Sequence, residues 1–407
     1  MKNFLNQILL TIFLFCFFSD AEKEKVLFCE VAYGGANKEI TRNFPYTSNS
    51  SIDTNLAFRI GQETRSVLNE LSLEGFDLII NHVTNDVFQA LDKYSKVRTG
   101  FVVVIDGEYV NEKKLSDSTA IQYWLDGKLV FFDCETMRVK LCKPFGAMYD
   151  DVSDNERTDA EHRKVFRKIL FGENGQRGLF FQSLAEKINE VQLSYVGGKT
   201  LQIGKVIIED DVLKTYKVKN ISNFKRFIAG SVTKSFSDQL GIPFLPYVES
   251  SESSESSSKL LGQAGGFSVN IINSSAGSSK RFQMKLPEVD YRLDLTIPPF
   301  VKIPLKEYRG YKQMIYGAYI RMKLWEPMSE KVYFNERFKN ALVRNVPLDD
   351  SVIPNEPFWQ FSLLECGQHV ASSLYKPDKE WINSQKIKKL DRKMKIFNEM
   401  LERCKND

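Results

Sequence analysis

The sequence predicts an α/β (or α+β) protein built from two tandem domains, each a three- to five-stranded mixed sheet with packed helices. Three observations support this class. Apolar residues alternate with polar ones in several extended runs and recur at helical spacing in others. The same order of elements occurs twice. The length of 407 residues exceeds one ordinary core, and 43% hydrophobic with 27% charged residues is a globular composition.

A hairpin pattern occurs once in each half of the chain. The stretches "YWLDGKLVFFDCETMRVKLCK" (residues 123–143) and "YGAYIRMKLWEPMSEKVYFNE" (residues 316–336) both have the pattern strand, acidic turn, strand. In residues 320–324 apolar side chains alternate with cations, which is typical of a strand with one buried face. Aligned without a gap, Tyr123 falls on Tyr316, although the identity of the two stretches is near chance. The two hairpins are alike in pattern only.

Similar elements flank both hairpins. Each half starts with an extended run, continues with an amphipathic helix that stops at a glycine, and adds a strand; a further helix follows the hairpin. The elements fall at residues 26–33, 56–73, 76–80 and 179–191 in the first half, and at 206–218, 224–240, 242–245 and 358–370 in the second. We interpret this as a duplication with its joint at Gly197-Gly198. The alternative, coincidence of a common order of elements, stays open.

The first 21 residues predict a signal peptide. Lys2 gives a positive start, and residues 8–18 form an apolar run that small residues follow. The run is about half as long as a membrane span. We therefore expect an exported chain that begins near Glu22, without a lipid anchor or a membrane span. An uncleaved anchor is the alternative.

The two predicted domains are residues 22–196 and 197–407. The second contains a serine- and glycine-rich stretch, residues 249–280, which has little to bury and predicts a surface loop. The second domain ends with residues 384–404. At helical spacing, its apolar residues fall on one side and its lysines and arginines on the other. This pattern predicts a basic amphipathic helix.

Charge and cysteine content exclude some classes of protein. A net charge of +4 over this length is too weak to indicate nucleic acid binding, so we expect no nucleic acid partner. Five cysteines remain after cleavage of the predicted signal. An odd, sparse set predicts at most one or two disulfides, and the sequence leaves their pairing open.

The order helix, strand, hairpin with an acidic turn, helix resembles the small α/β domains of bacterial envelope accessory proteins. The residues that carry the resemblance are "GFDLII" (75–80), "FVVVIDGEYV" (101–110) and "LVFFDCETMRV" (129–139). The families are the amino-terminal domain of the Tol-Pal translocation protein TolB, the periplasmic domain of the curli secretion channel, the lipoprotein activators of penicillin-binding proteins, and the flagellar outer-ring proteins. The resemblance covers residues 26–193, involves no functional motif, and implies the fold and an envelope location. This chain has Thr136-Met137 where those families often have Thr-Gly.

No motif in the sequence names a reaction. The chain lacks the zinc-protease, paired-cysteine, nucleophile-elbow, phosphate-loop and dinucleotide-binding patterns, so we expect no metal site and no cofactor. The stretch at residues 149–161 is acidic enough for a calcium loop. Val152 occupies a ligand position there, however, and the central glycine is missing, which favours a solvated linker.

Two carboxylate pairs are candidate catalytic groups. Asp106 and Glu108 follow a buried-looking strand at residues 101–105, and alternate strand residues point the same way, as an acid–base pair requires. The Asp-Gly step between them also predicts a two-residue hairpin turn, which is the favoured interpretation. Asp290 and Asp294 lie four apart in a strand pattern and so share a face.

Aromatic and basic residues near the carboxy terminus are candidate partner contacts. They are Phe358, Trp359, Phe361, Lys388, Arg392 and Lys395. The aromatic residues would anchor a partner if exposed, although core packing is their commoner role. The cations lie on the predicted helix, which either rests on an anionic membrane surface or packs on its own domain, and packing is favoured.

These observations favour an exported, non-catalytic protein of the cell envelope that acts by protein–protein contact in the periplasm, as an assembly or accessory factor. The alternative is an exported hydrolase of unrecognised family that uses a carboxylate pair. A third hypothesis, a secreted eukaryotic glycoprotein, depends on three glycosylation sequons, at Asn49, Asn220 and Asn273.

Overall fold

The computed structural model describes residues 23–34, 37–48, 56–80, 91–114, 118–191, 193, 199–216, 221–249, 266–271, 280–349 and 355–404. The predicted signal peptide, residues 1–21, and the predicted joint at Gly197-Gly198 lie outside the described residues. Both stay predictions, as do the domain limits drawn from them.

Strands and helices follow one another in the predicted general order. The strands are β1 (Lys25–Gly34), β2 (Asp77–Ile80), β3 (Thr99–Lys114), β4 (Thr119–Asp133), β5 (Val139–Ser153), β6 (Leu201–Ile208), β7 (Gly266–Ile271), β8 (Lys280–Lys285), β9 (Tyr291–Ile297), β10 (Val301–Tyr308), β11 (Tyr311–Trp325) and β12 (Val332–Pro347). The helices are α1 (Asn37–Asn43), α2 (Leu56–Glu70), α3 (Asp159–Phe171), α4 (Leu179–Asn189), α5 (Asp210–Tyr216), α6 (Ile221–Leu240), α7 (Glu356–Tyr375), α8 (Lys379–Ser384) and α9 (Leu390–Glu402).

The first sheet has seven strands in the order β5-β4-β3-β1-β7-β8, with β2 also paired to β1. β1 runs parallel to β2 and β3, while β3, β4 and β5 form an antiparallel meander. β7 and β8 come from the second half of the chain and add antiparallel to the end of β1. The predicted mixed α/β class is confirmed, but the predicted number of three to five strands is wrong for this sheet. β1 extends beyond the residues that pair with β2, and β7 forms hydrogen bonds with the backbone of this free end.

The second sheet has five strands and repeats the arrangement of the first. Its order is β10-β11-β9-β6, with β12 also paired to β11. β6 is parallel to β9, and β9, β11 and β12 are successively antiparallel. These strands therefore stand where β1, β3, β4 and β5 stand in the first sheet, and a parallel bridge between Gln202 and Leu245 takes the place of β2. The two strand orders agree, as a duplication requires.

The two aligned hairpins also share the geometry of their turns. In the first, the Asp133 amide donates to the Arg138 carbonyl at 2.8 Å, and Met137 has φ 59°. In the second, the Glu326 amide donates to the Lys331 carbonyl at 3.0 Å, and Glu330 has φ 55°. Each hairpin carries a β-bulge at the same aligned position just before the turn. In both turns a non-glycine residue therefore adopts the left-handed conformation that favours glycine.

Apolar clusters join the layers. Helices α2, α3 and α4 cover one face of the first sheet. On its other face, residues of β1, β3, β4 and β5 pack with Met284 of the terminal strand β8 at one end. At the other end Tyr109 and Trp124 contact Phe227 of α6, with ring centroids 4.8 and 5.5 Å away. Helices α6, α7 and α9 cover one face of the second sheet. α6 therefore lies between the two sheets and holds the two halves together.

The predicted loop at 249–280 and the predicted extended run at 206–218 differ from their predictions. Within the predicted loop at 249–280, Gly266–Ile271 forms β7, because the free end of β1 gives this stretch a backbone to pair with. Residues 250–265 and 272–279 lie outside the described residues. The predicted extended run at 206–218 is a strand only to Ile208, and α5 follows; its first turn has two aspartates, which favour a helix amino terminus.

The predicted helix at 384–404 is interrupted. α8 ends at Ser384 and α9 begins at Leu390, and Lys386 and Lys389 between them have φ 55° and 54°. The Gln385 side chain pairs with the backbone of Lys339 in β12, accepting from its N–H at 2.8 Å and donating to its carbonyl at 3.2 Å. This amide–backbone pairing fixes the chain at the break and prevents one continuous helix.

Cysteines and membrane spans can be assessed only for the described part of the chain. The five cysteines there, all those beyond the predicted signal, are free thiols. Over the ranges given above, no helix is both long enough and apolar enough to cross a bilayer.

Candidate partner-binding groove

An open groove of about 610 Å³ lies between the far end of the first sheet and the second half of the chain. β3, β4 and β5 form one wall, and β12 and α7 form the other. Its lining residues are Asn111, Ala120, Ile121, Gln122, Asp150, Asp151, Val152, Leu342, Arg344, Pro357, Phe358 and Phe361. Because most of these side chains are apolar, the groove can accept apolar groups of a partner.

The three aromatic candidates occupy different depths beside this groove. Phe361 is 40% exposed and lines the groove together with Val152, which is 63% exposed. Phe358 is half-buried, with its ring centroid 4.5 Å from that of Tyr316. Trp359 is buried: its ring stacks on Phe300 and its indole N–H donates to the Val301 carbonyl at 3.1 Å. Helical periodicity therefore leaves Phe361 as the exposed anchor and makes Trp359 a core residue.

Polar contacts fix the walls of the groove. The Asn111 side-chain amide donates to the Gln360 side-chain carbonyl at 3.0 Å and so connects β3 to α7. Asp151 forms an ion pair of 2.8 Å with Arg157. Arg344 on β12 and Asp150 on β5 are exposed and carry opposite charges on opposite walls. A partner segment with apolar side chains between charged ends would match this arrangement.

The carboxy-terminal cations lie outside the groove, on the solvent side of the helical segment. Lys388, Arg392 and Lys395 are exposed. The opposite side of α9 is in the core, where Phe397 stacks on Phe334 with ring centroids 4.4 Å apart. The apolar residues of α9 are therefore buried in the core of the protein and cannot insert into a bilayer.

The predicted turn at Asp106-Gly107 is not a turn. β3 continues through it to Lys114, and a β-bulge lies between Ile105 and Gly107. The extra residue shifts the side-chain alternation, so Asp106 faces Lys128 on β4, whereas Glu108 points to the opposite face. The prediction that the two carboxylates point the same way was therefore wrong.

Glu108 is buried and holds the loop after α1. Its carboxylate accepts from the backbone N–H groups of Tyr46 and Thr47 at 2.7 and 2.9 Å, and from the Thr47 hydroxyl at 2.6 Å. Burial raises the pKa of Glu108 to about 7, although these hydrogen bonds act in the opposite direction. The carboxylate is used structurally and does not face a substrate-sized cavity.

Asp106 belongs to a polar cluster in a cavity of about 450 Å³ between the first sheet and helices α6 and α7. It pairs with buried Lys128 at 2.5 Å. Asp126, two residues before Lys128 on β4, has a pKa raised to about 6, mainly by burial, with Lys234 opposing the rise and Asp106 adding to it. The sequence pattern missed Asp126 because "DGK" inside a long strand resembles a turn; only the contact with α6 reveals it.

Asp290 and Asp294 both bond to the backbone of the β6 region. Asp290 accepts from the Thr200 N–H and forms an ion pair with Lys199, at 2.8 and 2.9 Å. Asp294 accepts from the Lys205 N–H and from the Trp325 indole, both at 2.8 Å. They position strands β6, β9 and β11. Among the described residues, no group of three or more His, Cys, Asp or Glu side chains is placed to hold a metal ion.

Comparisons with known proteins identify no family. No protein-family model matches the chain, and no curated protein matches it.

Solved structures give weak similarities. A hypothetical protein of Chlamydia trachomatis has 7% identity and a TM-score of 0.23, covering 43% of this chain and 96% of that one. A Xanthomonas campestris protein of family DUF330 has 10% identity and a TM-score of 0.23, covering 46% and 88%. A neuraminyllactose-binding hemagglutinin homologue of Helicobacter pylori has 10% identity and a TM-score of 0.24, covering 49% and 92%. At these scores the similarities support no argument, and the resemblance to envelope accessory domains stays a prediction.

Proposed function

We propose that the protein is an exported, non-catalytic component of the cell envelope that holds a segment of a protein partner in the groove between its two halves. The observation that supports this proposal is the exposure of Phe361 and Val152 on facing walls of one open, mainly apolar groove. Exposed apolar side chains around a preformed concavity, with an aromatic residue among them, are typical of protein-interaction sites.

The groove suits a short partner segment with two or three apolar side chains. The contact between Asn111 and Gln360 and the packing of α6 between the sheets fix the walls, so little ordering accompanies binding. Arg344 and Asp150 on opposite walls would set the direction of the segment through its charges. Export to the periplasm is part of the proposal and follows from the predicted signal.

Site-specific photo-crosslinking tests the groove. A photo-reactive residue is placed at Phe361, at Val152 and, as a control, at Met328, which is 87% exposed in the turn between β11 and β12. Irradiation of intact cells should give one and the same adduct from the two groove positions and none from the control position. Val152→Asp should abolish the adduct formed from position 361.

Equal adducts at all three positions, or none at the groove positions, would contradict the proposal. Export is tested separately, by osmotic-shock fractionation and by sequencing the amino terminus of the mature protein. A first residue near Glu22 is expected, and recovery of the whole protein in the cytoplasmic fraction would rule out the envelope location.

A second candidate function is an exported hydrolase, and one observation favours it. Asp126, with a pKa raised to about 6, lies with the Asp106–Lys128 ion pair in the cavity of about 450 Å³. A carboxyl whose pKa is raised to about 6, next to a second carboxylate that is paired with a lysine, is an arrangement that general acid–base catalysis uses. This pair, Asp106 with Asp126, replaces the pair of Asp106 with Glu108 suggested by the sequence.

Hydrolysis of chromogenic glycosides and esters by the purified protein tests this candidate. If it is an enzyme, Asp126→Asn should lower the rate more than about a hundredfold and remove the pH dependence near 6. Ser235→Ala, a change on the α6 wall of the same cavity, should leave the rate within about twofold. Activity that is absent, or unchanged in Asp126→Asn, would reject the hydrolase.

A further inference from the structure

The tip formed by β10 and β11, residues 301–312, is an exposed hairpin. β10 bonds to β11 on one side, and in the described part of the chain no other strand pairs with its free edge. Residues 303–307 are all exposed. The connection is a tight turn in which Tyr308 pairs with Tyr311, and Gly310 has φ 95°, a conformation that favours glycine. The tip therefore projects its side chains into solvent.

Apolar side chains form a patch on this hairpin. Ile303 is 48% exposed and pairs with Ile315, which in turn pairs with Val343, 46% exposed on β12. Directly opposite residues in adjacent strands share a face, so these three side chains form one row. Their neighbours Met314 and Tyr316 point the other way, into the core. The row thus lies on the outer face of the second sheet, opposite its helices.

Leucine and tyrosine extend the patch to the end of the hairpin. Leu305 is 54% exposed at a β-bulge in β10. Tyr308 and Tyr311 stack with ring centroids 4.7 Å apart and an interplanar angle of 16°. Tyrosine pairs with one apolar face and a hydroxyl end are typical of the boundary between water and hydrocarbon.

Cations are frequent in this hairpin. Residues 301–312 contain Lys302, Lys306, Arg309 and Lys312 and a single acidic residue, Glu307. The Lys306 ammonium lies 4.9 Å from the centre of the Tyr308 ring, so this cation is held next to the tyrosine pair. Apolar and aromatic groups next to Lys306 and Arg309 match the layers of an anionic bilayer surface.

A partner strand would fit this edge poorly. Pro304 has no N–H to donate, and the bulge at Leu305 interrupts the pairing register. Both features block the addition of a strand to an exposed edge. Meanwhile the apolar side of α9 is buried, which removes the other basic segment as an insertion surface. We propose that the β10–β11 tip docks the protein on anionic lipid headgroups, with Leu305 and the tyrosine pair entering the interface.

Vesicle sedimentation tests this proposal. The chain is used from Glu22 onward, because the apolar run of residues 8–18 would itself partition into lipid; the described residues, which start at 23, are all retained. The probes are phosphatidylcholine vesicles with and without phosphatidylglycerol. Binding should require phosphatidylglycerol and should weaken as salt is added, because the interaction is screened.

Variants locate the contact. The double reversal Lys306→Glu with Arg309→Glu should weaken binding to anionic vesicles by more than about tenfold, since each cation near such a surface contributes roughly fivefold. Leu305→Ser should weaken it by about threefold or more, because an inserted side chain is lost. The matched control, Arg392→Glu with Lys395→Glu on α9, should stay within about twofold. Circular dichroism and thermal melting confirm that each variant folds.

Four results would overturn the proposal. They are an absence of binding to either vesicle, equal binding to neutral vesicles, equal loss in the α9 control, and competition by soluble polyglutamate as strong as by anionic vesicles. The last would assign the tip to an acidic protein instead of a lipid surface. Photo-crosslinking from Phe361 should persist in the hairpin variant, so the groove and the tip can fail independently.

Discussion

In the first sheet, a glycine on β4 leaves room for an aromatic ring of the neighbouring strand β5. Gly127 on β4 lies directly opposite Phe145 on β5, and a Cβ built at Gly127 would be 2.4 to 2.8 Å from three atoms of that ring. The Phe145 ring, which is 1% exposed, covers the glycine backbone. This contact explains a glycine within a strand, where it would otherwise weaken the sheet.

We expect Gly127→Ala to lower the free energy of unfolding by roughly 1–3 kcal/mol, because the added methyl group displaces the buried Phe145 ring. The matched control is Gly317→Ala on β11, where the nearest atom to the new Cβ is the Val301 Cβ at 3.6 Å. The control should change stability by less than about 0.5 kcal/mol. Urea unfolding of both variants measures the difference in the free energy of unfolding. Equal losses in the two variants would show that the Phe145 ring can move aside without cost.

The buried carboxylate of Glu108 makes stability depend on pH. Burial raises its pKa from 4.5 to about 7, so the folded protein binds this proton more tightly than the unfolded chain. The stability linked to the proton is fully present below about pH 4.5 and is lost as the pH rises through 7. The expected loss is roughly 3 kcal/mol. Asp126, with a pKa near 6, contributes in the same direction.

We expect Glu108→Gln to flatten the decline in stability between pH 4.5 and 7, because the side chain no longer titrates. Urea unfolding at a series of pH values measures this slope. Asp150→Asn, at an exposed position on β5, serves as the control and should keep the slope of the parent protein. A slope in Glu108→Gln equal to that of the parent would contradict the assignment.

At the scale of elements, the two hairpins place a non-glycine residue in the left-handed region at the same step of the turn. Met137 is partly packed against the core, whereas Glu330 is exposed. Left-handed conformations cost an L-residue roughly 1 kcal/mol, and glycine avoids most of this cost. The energetic cost of the left-handed conformation is therefore easier to measure at Glu330, where few other contacts change.

Glu330→Gly should raise the free energy of unfolding by about 0.5–1 kcal/mol through relief of this strain. Glu330→Ala removes the same carboxylate but keeps a Cβ, so it should not raise the free energy of unfolding. Thermal unfolding of the two variants makes the comparison. A gain in both would mean that the carboxylate, and not the backbone conformation, is unfavourable there.

At the scale of the whole molecule, one helix belongs to both halves. α6 packs on the second sheet and also on Tyr109 and Trp124 of the first through Phe227. β7 and β8, also from the second half, extend the first sheet. The halves should therefore unfold together in spite of their repeated plan.

Phe227→Ala should lower the stability of both halves by roughly 3–5 kcal/mol, because it leaves a cavity between them. Hydrogen exchange should show faster exchange in β4 as well as in α6. Ile221→Ala, an exposed position at the start of the same helix, is the control and should change neither region measurably. Faster exchange confined to α6 would indicate that the halves are energetically separate.

The sequence by itself determined the local elements and their repeated order. Periodicity places the strands and helices, and the acidic turns of the two hairpins are visible in a gapless alignment, because these features depend on residues close together in the chain. Phe361 and the basic face of the last helix could also be named from spacing. What the spacing could not tell was which of the adjacent aromatic residues is exposed.

Only the tertiary structure decided the rest. The pairing of β7 with β1, the meeting of Asp126 with α6, and the contact of Asn111 with Gln360, 249 positions apart, bring together residues that no local pattern connects. The bulge at Asp106 likewise depends on the register with β4, since one extra residue reverses the faces of every later side chain. The groove, the polar cavity and the exposed hairpin tip therefore follow from long-range packing, which local periodicity does not record.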